Sequence, residues 1–172
     1  MSWDPQPSVQ QAVRQVAEEA LTSYLAMRAA EGEKLRADIL NRLDVIEGYV
    51  ARVEERSPQT VEEYRAKLYA KLCEVLGDQQ IDEQRILTEA AIFADKIAVN
   101  EETVRLRSHI AQMRQFLQSP QPVGRKMDFL VQEFNREANT IGSKAQDIEI
   151  ARIVVELKSE IEKIREQVQN IE

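Results

Sequence analysis

The chain has 172 residues, of which 43% are hydrophobic and 31% are charged, and its formal net charge is −7. This composition excludes a wholly disordered chain, and no apolar run approaches the roughly 18 residues that a membrane-spanning helix requires. With only five glycines and five prolines, most of the sequence is free of helix breakers, which predicts an all-α protein. The first residues lack the basic and apolar regions of a secretory signal, which favours a cytoplasmic location.

The single cysteine and the single histidine limit the chemistry that the chain can support. Cys73 has no second cysteine with which to form an intramolecular disulfide. A zinc site built from Cys and His ligands is nearly excluded, as is a Ser-His-Asp triad based on any histidine other than His109. A metal site in this chain would consist of carboxylates, which are typical ligands of Mg²⁺ and Mn²⁺.

The first half of the chain is predicted to form two long helical segments. Residues 8–56 have apolar side chains at spacings of three and four, which predicts one helix or two collinear ones. Ser57 and Pro58 indicate the start of the next helix, because Ser is a favoured N-cap and Pro is favoured at the first helical position. That helix is expected to run to about Leu76 and to end at Gly77-Asp78.

The second half is predicted to contain four more helices. The first of them is expected to begin at Asp82, and Asn100 is the expected N-cap of the second, because its side chain can accept a hydrogen bond from a backbone N–H group. A joint that contains Gly142 is expected between the third and the fourth of these helices. The expected boundaries are a helix from Asp82, a helix from Asn100 to about Gln118, a loop at 119–124, a helix at 125–140, a joint at 141–143 and a last helix at about 145–171.

The last predicted helix carries a strict heptad of apolar residues, which favours a long partner helix. The 8–56 helix is the obvious partner, in the same chain or in another subunit. We therefore expect an all-α fold in which long antiparallel helices form a hairpin or bundle with shorter helices packed at one end. The heptad residues are Ile150, Val154, Leu157, Ile161, Ile164, Val168 and Ile171. The expected regions are a long N-terminal helix (1–56), a helical bundle with the candidate site (57–144) and a long heptad helix (145–172) that pairs with the first.

The segment GRKMDFLVQEFNREANTIGSK, residues 124–144, is the least ordinary part of the sequence. One helical face is an apolar core stripe, and another carries Asp128, Gln132, Asn135 and Asn139. Asn is a mediocre helix former, so the presence of two asparagines on this helical face requires an explanation. Either it forms a buried hydrogen-bonded network or a solvated surface, or it binds a ligand or metal. Residues 101–144 also carry a net charge of +2, which is compatible with anion recognition.

Two further clusters of charged residues lie on the predicted helices before this segment. Glu102, Arg105 and His109 share one helix face, opposite the apolar stripe, where His109 could serve as a general acid or base. The alternative is an ordinary exposed ion pair beside an inert histidine. The second cluster consists of Asp82, Glu83, Arg85 and Glu89, for which a solvated helix face with an Arg85–Glu89 ion pair is the simpler interpretation.

The segment 124–144 and the chain end VVELKSEIEKIREQVQNIE closely resemble the C-terminal signature of the YicC/YloC family. The segments AMRAAEGEKLRADI and IDEQRILTEAAIFADKIAVNEETVRLRSHI fit this family as well. The resemblance implies a bacterial, metal-dependent endoribonuclease, a hydrolase linked to stress and stationary-phase phenotypes. Family members usually begin with an N-terminal α/β domain, so the chain is expected to be the C-terminal helical part of such a protein.

The resemblance also implies roles for individual residues. The cofactor would be Mg²⁺ or Mn²⁺, the partner RNA, and the assembly a homo-oligomer between a dimer and a hexamer. The alternative is a non-catalytic helical oligomerisation or adaptor module. The residues implied in catalysis are His109, Glu133 and Glu137; those implied in metal binding are Glu89, Glu102, Glu133 and Glu137; those implied in RNA phosphate binding are Arg85, Arg105, Arg125, Arg136 and Lys144.

Overall fold

The computed structural model describes residues 7–77 and 80–170, which form α-helices and short connections. No strand occurs among these residues, which confirms the all-α prediction, and none of their helices is long and apolar enough to cross a membrane. The last heptad residue, Ile171, lies outside the described residues. The helices are α1 (Pro7–Leu76), α2 (Glu83–Ile97), α3 (Asn100–Leu117), α4 (Gly124–Lys144) and α5 (Ile148–Gln169).

The chain divides into two units, one ending at Asp38 and the other beginning at Ile39. In the described part of the first unit, every side chain from Ser8 onward is exposed or half-buried. Hydrogen-bonded pairs one turn apart, such as Arg14 with Glu18, support this segment of α1 locally. Its larger apolar side chains remain exposed, including Val13, Val16, Leu21, Tyr24 and Leu25.

The second unit contains one hydrophobic core to which α1, α3, α4 and α5 all contribute. The six described heptad residues of α5 are buried, as the spacing predicted. Ion pairs join α1 to its neighbours across this core and show that the helices run antiparallel. Arg42 Nη1 lies 3.0 Å from Glu160 Oε2 and Arg56 Nη2 lies 2.8 Å from Asp147 Oδ1, between α1 and α5. Between α1 and α3, Arg107 Nη2 lies 2.7 Å from Glu54 Oε2, and Arg114 Nη2 lies 2.7 Å from Asp44 Oδ1.

The predicted helix start at Ser57-Pro58 is wrong, because α1 continues through Pro58 to Leu76. Proline lacks one backbone donor and crowds the preceding turn, so a helix that continues through it loses part of its backbone hydrogen bonding. Here Thr60 is buried and donates its hydroxyl to the Ser57 carbonyl at 2.7 Å. Arg56 Nη1 also donates to Glu63 Oε1 at 2.6 Å, so an ion pair spans the proline.

The end of α1 and the beginning of α2 lie where the sequence predicted them. Gly77 ends α1 with a φ of 56°, and its N–H donates to the Cys73 carbonyl at 3.2 Å. Asp82 caps α2 by accepting a hydrogen bond from the Arg85 N–H at 3.2 Å. The prediction for α3 is wrong by one residue, because Asn100 is its first helical residue and Val99 occupies the cap position without a side-chain hydrogen bond.

The predicted joint at 141–143 is also wrong, because α4 runs to Lys144 and the connection follows at residues 145–147. Gly142 allows close packing rather than a break. A Cβ atom added there would lie 3.2 Å from Val154 Cγ1 on α5. The chain turns instead before Asp147, which caps α5 by accepting a hydrogen bond from the Ile150 N–H at 3.0 Å.

Candidate functional site

The candidate site lies where α3 packs antiparallel on α4. One ligand atom each from His109, Glu133 and Glu137 lies within 4.8 Å of the other two. Glu133 and Glu137 are four residues apart on α4 and therefore share a face, and His109 reaches them from α3. Glu137 is buried, whereas His109 and Glu133 are half-buried. We call these three residues the His109 cluster.

Two cations and a second buried carboxylate adjoin the His109 cluster. Arg105 Nε donates to Glu137 Oε1 at 2.8 Å, and Arg105 Nη2 lies 3.3 Å from Glu102 Oε1. Lys144 Nζ donates to the same Glu102 oxygen at 2.7 Å. These contacts hold the Glu137 carboxylate in place and connect it, through Arg105, to the Glu102–Lys144 pair.

Glu102 is only 2% exposed, so its ionisation depends on its neighbours. Burial alone raises the pKa of its carboxyl group. The hydrogen bond from Lys144 and the positive charges of Lys144 and Arg105 outweigh that effect, so the pKa of Glu102 lies below its ordinary value. The carboxylate is therefore negative at neutral pH, and it holds both cations beside the cluster.

Several buried polar atoms at this site have no hydrogen-bond partner among the described residues. They are both ring nitrogens of His109 and the Oε2 atom of Glu102. Leaving such atoms unpaired costs free energy, and native proteins satisfy nearly all of them. Two carboxylates on one helix face are a donor set that fits a divalent cation of the Mn²⁺ or Mg²⁺ type, and the neighbouring imidazole can exchange a proton beside it. The residues present therefore fit the metal that the resemblance implies.

The other residues that the resemblance implied in metal or phosphate binding lie outside the His109 cluster. Arg125 and Arg136 are exposed on α4. Arg85 and Glu89 are exposed on α2, where they line a cavity of about 520 Å³ between α2 and the C-terminal part of α1. The structure thus does not bring Glu89 to the other candidate ligands, and the Oε1 atom of Glu102 is already occupied by Lys144 and Arg105.

The sequence missed the burial of this region. It predicted an exposed face for Glu102 and His109, but Glu102 and both ring nitrogens of His109 are buried under α4. No local signal could show this, because the Glu102–Lys144 pair joins residues 42 positions apart. The polar face of α4 is largely at the surface, where Gln132 donates to Asp128 and Asn139 accepts from Lys158. A fully buried network on that face is therefore excluded.

Comparison with known proteins gives consistent matches over most of the chain. Residues 53–172 match the family described as "Endoribonuclease YicC-like, C-terminal". A protein of Clostridioides difficile (strain 630) named "Probable endoribonuclease YicC" is 49% identical over 161 residues, which are 93% of this chain and 55% of that protein. A protein of the same name from Haemophilus influenzae (strain ATCC 51907 / DSM 11121 / KW20 / Rd) is 39% identical over 155 residues, which are 90% of this chain and 53% of that protein. The chain thus spans about half the length of the curated relatives it matches.

Proposed function

The chain belongs to the YicC-like endoribonuclease family, and on this basis we propose that it carries the catalytic site of an endoribonuclease that depends on a divalent cation. One observation supports this proposal above the others. His109, Glu133 and Glu137 converge in a half-buried site in which the imidazole nitrogens lack partners among the described residues. Buried polar atoms normally have a hydrogen-bond partner, so these nitrogens are available to a ligand or to water.

Glu133 and Glu137 would hold the cation, which we propose to be Mg²⁺ or Mn²⁺. Such a cation, when bound, neutralises phosphate charge and activates a water molecule or a 2′-hydroxyl group. The Arg105–Glu137 hydrogen bond orients one of the two carboxylates before any ligand arrives.

We assign proton transfer to His109. Its Nδ1 and Nε2 atoms make no hydrogen bond within the described residues, so either can take a proton from the attacking oxygen or give one to the leaving oxygen. Lys144 and Arg105 add positive charge beside the cluster, where a phosphodiester would lie. Because both are held by Glu102, they are positioned without the substrate, which lowers the cost of ordering them during cleavage.

We further propose that the protein acts as a homo-oligomer, at least a dimer. The exposed apolar side chains in the first unit support this, because soluble monomers rarely leave a large apolar surface uncovered. The family resemblance adds the expectation of a cytoplasmic, stress-linked RNA-processing role. The same exposed side chains also support the second candidate function, a non-catalytic oligomerisation or adaptor module.

An assay of RNA cleavage separates the two candidate functions. The purified chain is incubated with a structured RNA and with an unstructured one, in Mn²⁺, in Mg²⁺ and in EDTA. Internal cleavage that requires the cation and stops in EDTA is expected for the enzyme. Should the chain alone fail to cleave, the same assay is repeated on a protein that restores the additional length found in the relatives. Failure of both forms in every buffer, together with a stable oligomer by light scattering, would establish the adaptor function instead.

A further inference from the structure

An exposed phenylalanine lies next to the His109 cluster. Phe129 is 58% exposed, although the apolar face of α4 is buried on the opposite side of the helix. Glu133 is four residues further along α4, so Phe129 lies on the adjacent turn, about 6 Å along the helix axis from a cluster residue. Because more than half of its surface is exposed, the Phe129 ring contributes little to the core and is accessible to a ligand.

Phe129 is flanked by cations that the protein leaves available. Arg125, Phe129, Gln132 and Arg136 follow one another at spacings of four, three and four, so they form one exposed strip along α4. Within the described residues, neither Arg125 nor Arg136 has a carboxylate at ion-pair distance. The arginines of α3 differ, because Arg105, Arg107 and Arg114 all form ion pairs with glutamate or aspartate.

We propose that this strip is a binding subsite for single-stranded RNA, in which a nucleobase next to the scissile phosphate stacks on Phe129. The inference rests on the proposed function. Arg125 and Arg136 would contact backbone phosphates on either side of the stacked base, since a guanidinium group binds phosphate bidentately. They are eleven residues apart, about 16 Å along the helix, which spans several nucleotides of a strand.

The chemistry of the strip specifies the kind of RNA. Stacking requires a base whose face is free, so paired duplex is disfavoured and an unpaired loop or end is preferred. A phenyl ring offers no hydrogen-bond donor or acceptor and therefore accepts any base. The subsite thus selects unpaired RNA with little preference for sequence.

The test measures binding separately from cleavage. Affinity for a fluorescently labelled single-stranded RNA is measured by anisotropy in EDTA for the wild type, F129A, F129L and F129Y. We expect Kd to rise at least about five-fold in F129A and F129L, because both lack an aromatic face, and to stay within about two-fold in F129Y. Val155→Ala, at an exposed apolar position on α5, is the matched control and should leave Kd unchanged.

Two further measurements identify stacking. An RNA with one abasic site should bind the wild type more weakly, and F129A should bind intact and abasic RNA alike. R125A and R136A should each reduce the slope of log affinity against log salt concentration by about 0.7, whereas F129A should not change that slope. Melting temperatures should be equal throughout, because all three side chains are exposed.

The outcomes distinguish this inference from the proposed function. Equal Kd for the wild type and F129A in a protein that cleaves RNA would overturn the stacking subsite alone. Phe129-dependent binding without any cleavage would support the subsite and count against the catalytic assignment. Absence of RNA binding both by this chain and by a protein that restores the additional length of the relatives would overturn both. A fall in oligomer mass in F129A, seen by light scattering, would also overturn the subsite, because Phe129 would then lie in an interface between copies.

Discussion

Glu102 and Lys144 are 42 residues apart in sequence, yet Lys144 Nζ lies 2.7 Å from Glu102 Oε1. Glu102 is near the beginning of α3 and Lys144 is the last residue of α4, so their pair closes one end of the interface between the two helices. The same glutamate oxygen contacts Arg105, which in turn holds Glu137. A structural ion pair thereby adjoins the proposed catalytic cluster.

Replacing Lys144 should therefore destabilise the fold. K144M removes a cation from a carboxylate that is 2% exposed, and the expected loss is about 1–3 kcal/mol in the free energy of unfolding, measured in urea. K144R, which keeps the charge, is the control and should lose much less. In the double variant E102Q/K144M, the buried charge is gone and part of the loss should return. Equal stability of K144M and wild type would show that Arg105 alone neutralises Glu102.

Changing Glu133 should affect activity rather than stability. E133Q keeps the shape of a half-buried side chain but removes its charge, so cation binding or acid–base work should suffer while packing does not. RNA cleavage is expected to fall at least about ten-fold, with an almost unchanged melting temperature. Glu156→Gln, at an exposed position on α5, provides the control. Persistent activity with a lowered melting temperature would instead make Glu133 part of a structural polar cluster.

The Arg56–Asp147 pair should make stability depend on pH in the acid range. The hydrogen bond from Arg56 lowers the pKa of the Asp147 carboxyl below its ordinary value of 3.8. Its stabilising contribution is therefore fully present above pH 3.8 and is lost as the pH falls through the lower pKa of the folded state. The difference in unfolding free energy between wild type and D147N should be constant near neutral pH and should shrink as the pH falls below 3.8.

Two companion variants make the acid experiment specific. D147A should cost about 1 kcal/mol more than D147N at neutral pH, because asparagine still caps α5 and alanine does not. Asp95→Asn, at an exposed position on α2, should leave the pH profile unchanged. A difference between wild type and D147N that persists unchanged into strong acid would contradict the ion-pair explanation.

Gly48 and Gly142 should respond differently to replacement by alanine. G48A should stabilise α1 by about 1 kcal/mol, because open space surrounds that position and alanine favours helix. G142A should gain less or lose stability, because its Cβ would lie 3.2 Å from Val154 Cγ1. In a V154A background the substitution at 142 should become more favourable. Thermal unfolding of the wild type, G142A, V154A and G142A/V154A measures that coupling. Equal gains in stability from G48A and G142A would show that α4 and α5 are less closely packed at Gly142 and Val154.

The sequence by itself determined the features that arise within one helix. The heptad of α5 identified six of the seven buried residues of that helix, because helical periodicity places every third or fourth residue on one face. The Asp82 cap and the end of α1 at Gly77 follow from hydrogen bonding and backbone conformation within a few residues. In the same way, the spacing of Glu133 and Glu137 placed both on one face of α4.

Only the tertiary structure decided how these faces meet. Around Pro58, α1 also packs into the fold, because Thr60 is buried and Arg56 reaches Asp147 at the start of α5, and whether Gly142 breaks a helix depends on Val154 across the interface. The same holds for the site. Periodicity says which residues share a face, but the packing of α3 on α4 decides that His109 meets Glu133 and Glu137 while Glu89 does not. The physical reason is that helix formation depends on neighbours in sequence, whereas burial and ion pairing depend on neighbours in space.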